Sequence, residues 1–362
     1  MEIINQPRFL KKEAYDDELN RYLQKSESSE GLISILTMGS VGAPGLSDLD
    51  LICVVEEGVK SKSVSGLDIP DGAQKRGILL HGPIVIPRSL FSDLHYIFPV
   101  SNLIGCSGES LLDSINPVSE DEEKSLALAY LVDFTLSRLL QHSVVETKKI
   151  IDKRGWLTRL WSLTHSETLC NIAGIALQSN WKTLLNDIRN TREDWNSGKD
   201  CDDQKFVNMY KRLEIVHQQL LTAALDTESQ ILGKTQSDNS LNFLRSTRNI
   251  TCQSITTPKV LNHGTFLNSV LKVNYQTIHA PLQYAVRLAH YGFQGQDPIK
   301  LSDTVHGRVL QKRASLVRKY NHFLETSGIT FSLQGGLGLP VKRESVVFSL
   351  IHRLFWMTQR LR

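Results

Sequence analysis

Two aspartates, Asp48 and Asp50, stand two positions apart at the head of an apolar run, Asp48–Val55 (DLDLICVV). Side chains two apart on a strand share a face, so this spacing projects both carboxylates together. Adjacent carboxylates repel, and the arrangement is costly unless a cation neutralises them or one holds a proton. Mg²⁺ is the natural cation, hard and oxygen-seeking, commonly bound by one or two carboxylates plus substrate phosphates. Just upstream, Gly39-Ser40 opens the loop Gly39–Ser47 (GSVGAPGLS). A glycine lets backbone approach phosphate oxygens closely, and the Ser40 hydroxyl adds a donor. The chemistry that suits these residues is in-line attack on an α-phosphate, with metal stabilising the attacking and leaving oxygens.

The surrounding elements are those needed to position such a pair. Tyr15, Leu19, Tyr22 and Leu23 predict a short amphipathic helix within residues 11–30. Leu32–Met38 reads as a buried strand, Asp48–Val55 as a second, and Ile78–Ile86 (ILLHGPIVI) as a third, bulged or broken at Gly82-Pro83. Residues 88–118 read as a short helix and closing loops. Ser119 with Glu122 forms a capping box that opens a long helix to about Glu146. Further helices are expected over 156–178, 203–232, 281–291, 304–326 and 344–361, and Gly335–Gly338 reads as a turn. Residues 233–275 leave a small β insertion and a long ordered loop both open. The fold class expected is α+β: an N-terminal mixed sheet with flanking helices over 1–118, a helical domain over 119–232, and a mixed, mainly helical basic region over 233–362.

The segment ILTMGSVGAPGLSDLDLICVV, residues 35–55, resembles the signature of the DNA polymerase β superfamily of nucleotidyltransferases. The resemblance is specific over about 25 residues and extends in outline over residues 1–115. In style it is closest to the small-molecule, aminoglycoside-type enzymes, in which a helical C-terminal domain shapes the acceptor side. It implies that Gly39 and Ser40 contact a nucleoside triphosphate, with ATP as the expected donor. It implies that Asp48 and Asp50 are the catalytic, metal-binding residues for Mg²⁺ or Mn²⁺. The implied reaction moves a nucleoside monophosphate to an acceptor hydroxyl and releases pyrophosphate. The acceptor is left open among a small molecule, a protein side chain and an RNA end, as is the oligomeric state.

The family usually places a third carboxylate on a later strand. The corresponding strand here, Ile78–Ile86, holds His81, Gly82 and Pro83 at its centre and no acid. Asp68, Asp71, Asp93, Glu109 and Asp113 are near in sequence, but none falls in a convincing strand. Two alternatives therefore stand beside an active enzyme: a degraded nucleotidyltransferase fold with a nucleotide-binding or regulatory role, and a synthase of oligonucleotide signals.

The remaining chemistry-bearing residues argue mostly by exclusion. Five scattered cysteines, Cys53, Cys106, Cys170, Cys201 and Cys252, show no zinc-ligand spacing and no disulfide framework. His263, His279, His290, His306 and His322 lack metal-site pairing. With no signal peptide and no long apolar stretch, a cytoplasmic protein outside the membrane is expected. The 362 residues carry a net charge of +3, which hides an asymmetry. Residues 300–362 hold eleven basic side chains and three acidic ones, leaving residues 1–299 with thirty and thirty-five. The basic stretch suits a triphosphate or an RNA backbone. The acidic excess elsewhere suits a cationic acceptor.

Overall fold

A computed structural model describes residues 1–69, 77–232, 249–253, 275–279, 303–333 and 335. The expected helices at 281–291 and 344–361, and all of Gly335–Gly338 except Gly335, lie outside the described residues.

The chain begins with strand β1 (Glu2–Ile4) and helix α1 (Glu13–Ser26), followed by β2 (Leu32–Met38) and β3 (Asp50–Val55). After β4 (Ile84–Pro87) come two short helices, α2 (Arg88–Phe91) and α3 (Leu94–Ile97), and then β5 (Ile104–Gly108). Strands β2 to β5 form one mixed sheet in the order β4-β3-β2-β5. β2 is antiparallel to β3 and β5, while β3 is parallel to β4. β3 has neighbours on both sides, and Leu51 through Val55 are all buried, which explains its unbroken apolar sequence. β4 and β5 are the edge strands; β4 is buried, while the glycine-bearing sequence of β5 is largely exposed.

The helical part opens with α4 (Glu120–Lys148), whose capping box is formed by Ser119 and Glu122. Strand β6 (Ile150–Asp152) leads into α5 (Lys153–Ala173), α6 (Ser179–Asn196) and α7 (Asp203–Leu232). On α7 the stripe Phe206, Tyr210, Leu213, Leu220 and Ala224 is buried; the larger of these side chains are each worth about 1.5–3 kcal/mol of burial. β7 (Asn249–Gln253) and β8 (Tyr275–His279) pair with each other in antiparallel fashion. α8 (Val305–Ser327) packs on α4 and α3. The fold is thus α+β, with a mixed sheet and a mainly helical remainder. Among the described residues no helix is long and apolar enough to cross a membrane.

Several elements differ from the sequence expectation. The third strand starts at Ile84, not Ile78. Gly82 passes so close to residue 331 that a Cβ there would lie 1.8 Å from the Phe331 carbonyl oxygen, and His81-Gly82-Pro83 leaves the ladder to make that contact. β3 starts at Asp50, because Leu49 N–H is spent on the Ile78 carbonyl (2.8 Å), outside any strand. The helix expected to run to 178 stops at Ala173, where Gly174 takes the left-handed conformation (φ +73°). Helix α6 and strands β1, β5 and β6 have no counterpart in the sequence expectation. β1 pairs with β6 in parallel, so the N-terminus is tied to the helical part of the chain.

Candidate functional site

The site lies at one end of the sheet, and strand direction explains how its residues meet. β2 and β3 are antiparallel with Met38 opposite Asp50, so the end of β2, Gly39-Ser40, lies beside the start of β3. β4 is parallel to β3, with Ile84 opposite Ile52. The residues entering β4 therefore arrive at that same end, and His81 is among them.

Asp48, Asp50 and His81 bring one oxygen or nitrogen each within 4.8 Å of one another. His81 Nε2 is 2.9 Å from Asp50 Oδ1 and 3.9 Å from Asp48 Oδ2. The other ring nitrogen, Nδ1, is 2.8 Å from the Gly82 carbonyl oxygen, which can only accept, so Nδ1 carries a proton. A neutral ring would then aim the Nε2 lone pair at a carboxylate. Something positive must lie between them, either a second proton or a metal ion. Without an ion, burial pulls the His81 imidazole down. The hydrogen bond to Asp50 and the charges of Asp50 and Asp48 outweigh it and hold the ring up to about 9. Burial, followed by the charge of Asp50, raises the Asp48 carboxyl.

The loop carrying Asp48 is held by side chains from the helices. Tyr15 on α1 donates to the Ser47 carbonyl (2.6 Å) and accepts from Gly45 N–H (2.9 Å). Arg154 donates to the carbonyls of Leu46 and Ser47 (2.6 Å each) and of Gly77 (2.8 Å). Arg192 donates to Ser47 Oγ (2.5 Å) and Trp195 to the Pro44 carbonyl (2.7 Å). The loop's carbonyls thus find donors away from water.

Comparison with protein-family models, curated proteins and solved structures gave no match.

The structure brings Asp48 and Asp50 together as their spacing predicted, although Asp48 lies outside the strand. Gly39 has φ +77°, a Cβ added to it would meet nothing within 4 Å, and its N–H donates to the Ser101 carbonyl (3.0 Å). Ser40 is exposed. Among the described residues no third acid joins the cluster. Glu109 pairs with Arg88 (2.9 Å), Asp93 with Lys312 (3.2 Å), and Asp71 lies outside the described residues. His81 stands where the third carboxylate was sought. Its sequence position was visible, but its partnership depended on the parallel pairing of β4. The arginines around Ser47 come from separate helices and leave no local sequence signal.

The donor set fits a divalent cation. Two carboxylates suit Mg²⁺, an imidazole broadens the fit toward Mn²⁺, and the Nδ1–Gly82 hydrogen bond is the kind that orients a ligating histidine.

Proposed function

We propose that the chain is a divalent-metal-dependent nucleotidyltransferase in which Asp48, Asp50 and His81 hold the cation. The observation that carries this reading is the convergence of these three side chains beside the glycine-serine turn. Bound Mg²⁺ or Mn²⁺ would supply charge stabilisation at the attacked α-phosphate and at the leaving pyrophosphate. In the transfer, an acceptor oxygen forms a bond to the α-phosphorus, the bond from that phosphorus to the bridging oxygen breaks, and the hydroxyl proton leaves to water. Gly39 leaves open space beside its backbone, which suits close approach of a phosphate oxygen. Ser40 offers an exposed hydroxyl as donor. The imidazole of His81, protonated at neutral pH when no ion is bound, keeps the two carboxylates together in a geometry ready to exchange that proton for a metal.

The test is transfer of label from α-labelled ATP, with Mg²⁺ or Mn²⁺, to a panel of hydroxyl acceptors. Asp48→Asn and Asp50→Asn should each lower the rate by about 100-fold or more. Full activity in either variant removes the reading.

One observation favours a second reading, a nucleotide-binding protein without turnover. The His81 proton offsets one of the two carboxylate charges, so the cluster is held together without a metal. That reading predicts nucleotide affinity that is indifferent to divalent cations and no labelled product.

A further inference from the structure

Near Asp48 the helices present four arginines, Arg138, Arg154, Arg159 and Arg192, that outnumber the acids acting on them among the described residues, Asp48 and Asp152. Arg138 on α4 and Arg159 on α5 both donate to one acceptor, Gln141 Oε1, through Nη1 (2.9 Å) and Nε (2.8 Å). Two guanidinium groups sharing one amide oxygen must lie side by side. Arg154 and Arg192 are brought together in the same way on Ser47, one on its carbonyl (2.6 Å) and one on its hydroxyl (2.5 Å). Among the described residues, none of the four is in an ion pair with a carboxylate within 4.0 Å. The buried Nε atoms of Arg138 and Arg154 have no hydrogen-bond partner. Arg138 and Arg159 are half-buried.

Electrostatics link these groups into one set. Burial, then the neighbouring Arg159, draws Arg138 down to about 9. Burial, then Arg154, draws Arg192 down to about 10. The charge of Asp48 acts on all four arginines, while Asp152 acts on Arg154 and Arg159 and is itself engaged in capping α5 through Gly155 N–H. Like charges gathered in a partly desolvated place are held at a cost unless an anion joins them, which is the converse of the argument for a cation at Asp48 and Asp50. Guanidinium forks match phosphate oxygens in geometry as well as charge.

We propose that Arg138, Arg159, Arg154 and Arg192 form a seat for a phosphate-bearing anion next to Asp48, with Arg138 and Arg159 making the direct contacts. The site then takes an anionic substrate on its helical side and disfavours a cationic acceptor, contrary to what the acidic excess of residues 1–299 suggested. The inference deepens the nucleotidyltransferase reading and rests on it for the reaction, while the seat itself is testable without turnover. The phosphate comes either from the triphosphate of the donor or from a phosphorylated acceptor.

Calorimetric titration of the full chain with inorganic tripolyphosphate, without divalent cation, tests the seat. Binding is expected, weakened at least tenfold in Arg138→Gln/Arg159→Gln and unchanged in Arg88→Gln, a remote exposed arginine. No binding by the wild type, equal binding by the double variant, or equal weakening in Arg88→Gln overturns the proposal. Asp48→Asn should abolish transfer yet bind tripolyphosphate at least as tightly. Loss of the reaction reading and loss of the seat are therefore separate results. Displacement of tripolyphosphate by ATP but not adenosine assigns the seat to the donor. Binding of glycerol 3-phosphate to the ATP-saturated protein assigns it to the acceptor, and failure of both overturns the assignment to a substrate. If the double variant does not fold, phenylglyoxal labelling of the wild type decides: tripolyphosphate should shield Arg138 and Arg159, and equal labelling with and without it overturns the seat.

Discussion

At the scale of single residues, the site is a balance of charge between two carboxylates and one imidazole. His81 is held up to about 9, above the ordinary histidine value near 6.5. A raised value in the folded state means that the folded protein binds the proton more tightly than the unfolded chain. The stabilisation is therefore complete below about pH 6.5 and is lost as pH rises through about 9. His81→Gln should cost about 2 kcal/mol at pH 6, discounted for a site still partly open to water, and the cost should shrink toward pH 10. Denaturant titrations of wild type and variant across that range measure it, and a cost independent of pH would contradict the assignment. Saturating Mn²⁺ should flatten the wild-type dependence, because a ligated imidazole has exchanged its Nε2 proton for the metal. The two aspartates were legible in the sequence as a close pair, although Asp48 reaches Asp50 from the loop before β3 and not from the strand itself. The histidine was not legible as a partner, because nothing local says that β4 runs parallel to β3.

At the scale of elements, the loop between β2 and β3 does two jobs with its glycines. Gly45 (φ +91°) lies under the N-terminal segment, where a Cβ would come 2.0 Å from the Arg8 carbonyl oxygen. Gly39 (φ +77°) faces open space. Gly45→Ala combines left-handed strain with a backbone collision and should destabilise by about 3 kcal/mol. Gly39→Ala carries the conformational strain alone, about 1–2 kcal/mol, and should fold. It places a methyl group where the proposed phosphate approaches, so transfer should fall well beyond the loss of stability. Thermal unfolding and label transfer measured on both variants separate the two effects, and a Gly39→Ala variant with full activity would count against the proposed phosphate contact at this turn. The strongly patterned elements, β2, β3 and the capped helix α4, were legible from sequence because hydrophobic run and cap coincide. Strand β5 was missed because its exposed residues, Ile104–Gly108, have no alternation to read. The late start of β4 and the Gly82–Phe331 contact depend on residues 249 positions apart, beyond the reach of any local pattern.

At the scale of the whole molecule, a further buried cation, besides Arg154 and Arg192, ties helix α8 to α4 and to the segment next to the sheet end that carries the site. Arg313 on α8 is fully buried and reaches Asp133 on α4 (Nη2–Oδ2 2.9 Å). It also donates to the carbonyls of Tyr96 (2.5 Å) and Ile97 (3.2 Å) on α3 and stacks over the Tyr130 ring at 4.3 Å. A few residues past α3, the Ser101 carbonyl holds Gly39 N–H, so α8 bears on the glycine-serine turn through a short length of backbone. Removing one partner of a buried pair leaves the other charge without compensation, and Arg313→Met should cost about 3–5 kcal/mol. Adding Asp133→Leu removes the carboxylate that faced Arg313 and should recover part of that loss. It cannot recover all, because the carbonyls of Tyr96 and Ile97 still lack their donor, at about 1–3 kcal/mol for each unsatisfied group. Chemical denaturation of the wild type, both single variants and the double variant gives the cycle directly. A double variant less stable than Arg313→Met would show that the pair does not work as a charge pair. A single variant within about 1 kcal/mol of wild type would show that α8 is anchored by its apolar face alone.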